Sequence, residues 1–153
     1  MEFITKTDQE TKELGKKLAT ELSDGDIICL YGELGAGKTT LVKGIAEGLG
    51  ITEDVVSPTF TLMSVYEEGK RKKGKGEREK VKGKRLVHID TYRLKDEQEL
   101  VDIGAEDYLG APDTVTIIEW PEKIEKLLKN KKIRKITLEH LENGGRKIIT
   151  DIT

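Results

Sequence analysis

The chain has 153 residues, 35% of them hydrophobic and 37% charged, and its 27 Lys and Arg against 29 Asp and Glu leave a formal charge of −2. That length suits one domain, residues 1–153, burying about two thirds of its unfolded surface, and the composition is that of a soluble globular protein. The apolar run Ile27–Tyr31 falls far short of the ~20 residues of a membrane helix, and "MEFITKTDQE" lacks the apolar stretch of a signal peptide, so the expected compartment is the cytoplasm, away from any membrane.

In chain order, Thr7 and Glu10 have capping-box spacing, and Leu14, Leu18 and Leu22 recur at helical intervals. They predict a helix over 8–22 that the turn "SDGD" ends. Ile27–Tyr31 is continuously apolar, as in a parallel strand buried on both faces. Cys29, the lone cysteine, cannot form an internal disulfide and reads as a small buried hydrophobe within that strand. After a glycine-rich loop, Leu41, Val42, Ile45 and Leu49 are spaced as a helix, with Gly48 and Gly50 as its stop. "SPTF" opens an extended segment over 59–66. Further strands are predicted over 86–90 and 115–119, and a short helix over 96–101. Pro121 begins another helix. "KITLEHL" and "RKIITDI" flank "ENGG" as a hairpin with an asparagine-glycine turn. No internal repeat is present.

The loop "GELGAGKTT" fits G-x-x-x-x-G-K-[ST] through Gly32, Gly37, Lys38 and Thr39, with an apolar strand before it and a helical pattern after it. Glycines let the backbone N–H groups of such a loop turn toward phosphate oxygens, and the helix start adds partial positive charge. The cradle would run through Gly32, Glu33, Leu34, Gly35, Ala36, Gly37, Lys38, Thr39 and Thr40. Lys38 would bridge the β- and γ-phosphates, and Thr39 would offer its hydroxyl to Mg²⁺. The guanine-reading N-K-x-D sequence is absent, which favours ATP.

A Mg²⁺-nucleotide site also needs carboxylates at the strand ends that open onto the ligand crevice. Asp90 ends "LVHID" and Glu119 ends "TVTIIE", so Lys38, Asp90 and Glu119 form the candidate catalytic set. Taken singly, each carboxylate has the alternative of a solvated strand-end charge. His88 shares the side of the strand that carries Asp90, and a packed neutral ring is its simpler reading. His140 has no comparable context.

With "GELGAGKTT", "SPTFTL", "HIDTYRL" and "IIEWP" in this order, the chain resembles the TsaE family, the small ATPases of bacterial tRNA threonylcarbamoyladenosine synthesis. The resemblance runs from the first helix to Pro121. It implies a three-layer α/β P-loop NTPase fold, with a mostly parallel central sheet and antiparallel hairpin additions. It also implies an accessory ATPase that works with TsaD and TsaB on adenosine 37 of tRNA. In the family pattern Thr39 and Glu119 hold Mg²⁺, Asp90 is the Walker B residue, and the helix start around Asp8 lies by the nucleotide base. By the same analogy Ser57, Pro58 and Thr59 form a switch-like loop sensing the γ-phosphate. Tyr92 and Arg93 belong to the family motif, and Trp120 reads as packing.

Two other readings stay open. Small-molecule kinases share the loop and the size, but they need an arginine-bearing lid to exclude water; only six arginines occur, three of them within 67–85. A nucleotide-dependent binding module would hydrolyse negligibly on its own. Residues 67–85 depart from the family pattern. Ten basic residues against four glutamates carry +6, leaving −8 for the rest of a chain whose total is −2. With four glycines and only Val81 as an aliphatic, the stretch reads as a flexible basic hairpin insertion, and as a candidate contact for tRNA phosphates.

Overall fold

The computed structural model describes residues 1–33, 35–58, 60–68 and 84–152, together with the backbone of two short strands between them. In chain order the elements are β1 (Glu2–Thr5), α1 (Asp8–Ala19), β2 (Ile27–Tyr31), α2 (Lys38–Gly48), β3 (Met63–Glu67), β4 (Lys72–Lys73), β5 (Glu77–Arg78), β6 (Arg85–Asp90), α3 (Gln98–Asp102), β7 (Thr114–Glu119), α4 (Glu125–Leu128), β8 (Ile133–His140) and β9 (Arg146–Thr150). Short 3-10 turns occupy Ala105–Asp107 and Pro121–Ile124. Seven strands make one sheet in the order β1-β9-β8-β2-β7-β6-β3.

The four central strands, β8, β2, β7 and β6, are parallel, and β1, β9 and β3 add antiparallel edges. Period-2 alternation divides β2 between two cores. Ile28 and Leu30 pack with Leu14 and Leu18 of α1 and Leu41 and Ile45 of α2. Ile27 and Cys29 pack on the other face with Leu94, Leu100, Leu109, Ile124 and Leu128. Both faces are covered, which is why β2 carries no polar alternation and why even Thr114 and Thr116 of β7 are buried. The result is the three-layer α/β architecture expected, with a sheet that is parallel in its middle.

The helices α1 and α2 cross closely because glycines face each other. A Cβ on Gly44 would lie 2.2 Å from the Lys12 carbonyl oxygen, and one on Gly15 would lie 2.6 Å from that of Leu41. This contact sets the start of α1 beside the loop from which α2 begins.

Several boundaries differ from those the sequence predicts. The first helix ends at Ala19, where the Thr20 hydroxyl donates to Lys17 O at 2.7 Å and competes with the helical ladder. Leu22 is still buried, so its apolar spacing reported burial rather than helix. The segment over 59–66 becomes strand only at Met63. Before it, Leu62 is left-handed (φ 65) and its N–H donates back to Pro58 O, closing a turn. After Pro121 the chain makes a 3-10 turn and one turn of α4, not a longer helix. β1 was not expected: its row of polar and apolar residues becomes strand by pairing with β9, tied further by the N-terminal amine at 2.7 Å from Thr150 O. The β8–β9 hairpin forms around Leu141–Gly145, with Gly144 at φ 84.

The antiparallel pairing of β3 with β6 joins the two ends of the basic insertion, and Glu68 N–H donates to Lys84 O at its root. The expected flexible tip lies, apart from the β4–β5 backbone ladder, outside the described residues.

Candidate functional site

β2 delivers the chain to the glycine loop, and α2 starts at Lys38 with Gly37 as its N-cap in left-handed geometry (φ 95). The first N–H groups of a helix have no partner inside it, and at α2 no side chain caps them. They therefore stand open for an anion at the positive end of an 11-residue helix. The positive φ of Gly37 favours glycine, and a Cβ there would also meet the Arg146 side chain, 2.5 Å from Nε.

Lys38 is only 6% exposed. Its Nζ donates to Gly32 O at 2.5 Å and sits 3.9 Å from the centre of the Trp120 ring. Burial lowers its pKa from the usual 10.5, opposed by the nearby charges of Glu119 and Asp90. Trp120 reaches this position through a left-handed backbone (φ 58), a costly conformation for an aromatic residue. The Thr91 hydroxyl holds it, within hydrogen-bond reach of Glu119 O (3.1 Å) and Trp120 O (2.5 Å).

Asp90 and Glu119 are register partners at the ends of β6 and β7, so their side chains stand side by side on one face. Both are buried. Asp90 accepts from the Ser57 hydroxyl and from Tyr92 N–H, each at 2.9 Å. Glu119 Oε2 lies 2.7 Å from His88 Nε2.

These groups line an open cavity of about 480 Å³, a size that suits a small ligand. Of the residues singled out in the sequence, Asp8, Gly35, Gly37, Lys38, Thr39, Thr40, Ser57, Asp90, Tyr92, Arg93, Glu119 and Trp120 meet there. Gly32, Glu33 and Ala36 do not; they line a neighbouring hollow with β8 and His140. Leu34 and Thr59 lie outside the described residues, and Pro58 is buried.

The structure adds two residues. Arg146, from β9, donates to Asp8 Oδ1 at 2.6 Å and lies over Gly37. No local pattern announces it, because it reaches the loop only through the sheet order. Thr91 belongs to "HIDTYRL", and only the fold reveals its grip on the Glu119–Trp120 backbone.

The donor set suits magnesium: hydroxyl and carboxylate oxygens, with no sulfur or free imidazole required. Among the described residues no group of three or more His, Cys, Asp or Glu is arranged to hold a metal ion by itself, so a cation here would draw remaining oxygens from phosphate and water, as Mg²⁺ commonly does. Among the described residues no helix is long and apolar enough to cross a membrane.

The family model for Threonylcarbamoyl adenosine biosynthesis protein TsaE matches residues 5–148. Among curated proteins, the tRNA threonylcarbamoyladenosine biosynthesis protein TsaE of Synechocystis is 41% identical, over 83% of this chain and 74% of its own length. The protein of the same name from Treponema pallidum is 36% identical, over 97% of this chain and 98% of its own length. The crystal structure of Bacillus subtilis YdiB superposes with a TM-score of 0.74 at 31% identity, covering all of this chain and 86% of that one. With these matches spanning nearly its whole length and its loop, carboxylates and sheet in this arrangement, the chain belongs to the TsaE family.

Proposed function

We propose that this chain binds Mg·ATP in the cavity and hydrolyses it as an accessory ATPase of tRNA threonylcarbamoyladenosine synthesis, acting with TsaD and TsaB. The observation that carries this reading is the meeting, in one cavity, of an uncapped helix start, a buried lysine and two adjacent carboxylates. The role in tRNA modification follows from the names of the relatives.

In this reading the loop backbone at Gly35, Gly37, Lys38, Thr39 and Thr40 cradles the phosphates, and the N–H groups at the start of α2 donate to their oxygens. Lys38 leaves the Gly32 carbonyl for the β- and γ-phosphates. Thr39, Asp90 and Glu119 hold or orient Mg²⁺, which neutralises charge on the phosphate oxygens when bound. Asp8 lies beside the base, and Arg146 and Arg93 add positive charge at the cavity rim. The basic insertion meets tRNA phosphates.

Phosphate release, measured alone and with TsaD, TsaB and tRNA but no small-molecule acceptor, tests the proposal. Lys38→Ala is expected to fold, to weaken ATP binding by about 2–3 kcal/mol and to abolish turnover. Glu119→Gln and Asp90→Asn should impair Mg²⁺-dependent release more than nucleotide binding. No release from the parent protein under either condition, or parent-like behaviour of all three variants, would refute the ATPase reading.

A further inference from the structure

The two carboxylates at the cavity are held by different donors. Asp90 has both oxygens engaged, one by Ser57 and one by the Tyr92 backbone. Among the described residues, Glu119 has a side-chain partner for Oε2 alone, His88 Nε2 at 2.7 Å. His88 is 0% exposed and Glu119 is 3% exposed, so water competes little for this bond. A hydrogen bond to a buried charge is strong, and removing its donor leaves the carboxylate oxygen unpaired.

The other ring nitrogen, His88 Nδ1, is sealed from solvent and has no hydrogen-bond partner among the described residues. A proton there would have nothing to donate to. The ring therefore carries its proton on Nε2 and donates it to Glu119. This fixes the rotation of the carboxylate. Oε2 is taken by His88 of β6, and Oε1, which has no protein partner among the described residues, is the oxygen left to the cavity that Glu119 lines.

We infer that His88 is a positioning residue that pins Glu119 so that Oε1 faces the magnesium–triphosphate position. The inference rests on the metal role proposed above for Glu119. His88 touches neither phosphate nor metal; it acts through the carboxylate, as outer partners of metal ligands do.

The test is Mn²⁺ affinity, read by electron paramagnetic resonance on protein loaded with a non-hydrolysable ATP analogue, with thermal stability recorded alongside. His88→Leu should weaken Mn²⁺ binding by about 10–100-fold. His88→Gln, whose amide reaches near the place of Nε2, should recover most of that loss. His88→Asn, whose amide stops near the place of Nδ1, should not. Adding His88→Leu to Glu119→Gln should cost no further affinity, because both changes remove the same oriented oxygen. Unchanged Mn²⁺ affinity in His88→Leu beside a large loss in Glu119→Gln would overturn the positioning role and leave the Glu119 reading intact. Unchanged affinity in Glu119→Gln itself would overturn both. Should His88→Leu fail to fold, equal Mn²⁺ affinity of the Gln and Asn variants would overturn the inference, reducing His88 to packing.

Discussion

Burial acts in opposite directions on the two titratable groups at either side of the glycine loop. It lowers the pKa of Lys38, a cation, and raises that of Cys29, an acid, from 9.0 to about 11. Cys29 is 0% exposed in the middle of β2, so its thiol stays protonated at neutral pH and is shielded from reagents. The pH dependence follows from proton counting. As pH rises past 9 the unfolded chain releases this proton and the folded chain keeps it, so stability falls between pH 9 and 11, by about 2–3 kcal/mol, and is unaffected below. Denaturant midpoints of the parent and Cys29→Ala proteins from pH 8 to 11 check this. The variant, less stable at neutral pH for want of packing, should lose correspondingly less on the alkaline side; parallel curves would refute it.

Among the elements, the α1–α2 pair links packing to the site most directly. Alanine normally favours a helix interior over glycine by about 1 kcal/mol. At Gly44 the added Cβ would meet the Lys12 carbonyl oxygen at 2.2 Å, a backbone group that cannot swing aside. Gly44→Ala is therefore expected to destabilise by about 1–3 kcal/mol despite its better propensity. Since α2 begins at the loop and α1 carries Asp8, ATP affinity should fall with it. Thermal unfolding and nucleotide titration on the same variant check both parts, and a variant as stable as the parent would show that the helices have room to separate.

Across the whole molecule, charge is segregated between the insertion at residues 67–85, at +6, and the rest, at −8. The pairing of Glu68 with Lys84 at its root means residues 69–83 can be replaced by a short turn without touching β3 or β6. Such a protein should bind ATP as the parent does. Its association with tRNA should be weaker at low salt and its salt dependence shallower, by about 0.7–0.9 log units per log of salt for each phosphate that the shortened protein no longer neutralises. Without aromatic residues in the stretch, the interaction should be insensitive to RNA sequence. Identical salt titrations of the two proteins would exclude the insertion from RNA binding.

Local signals made much of the fold and site legible. The glycine loop is contiguous, and its backbone geometry follows from its residue types. The continuous apolar run of β2 announced a buried parallel strand, and "HIDTYRL" with "IIEWP" pointed to the TsaE family. The sequence alone also placed Asp90 and Glu119 at strand ends. That they stand in register depends on β6 lying beside β7, a long-range pairing no local pattern encodes. The same holds for the grip of His88 on Glu119, of Thr91 on the Trp120 backbone, and of Arg146 on the loop. β1 was illegible for a related reason: an edge strand of mixed polarity becomes a strand only when a partner, here β9, supplies its hydrogen bonds. Residue type and spacing determine which groups are present and which way a local segment turns. Which of them touch is decided by the order of strands in the sheet, because only tertiary packing brings distant positions within hydrogen-bond reach.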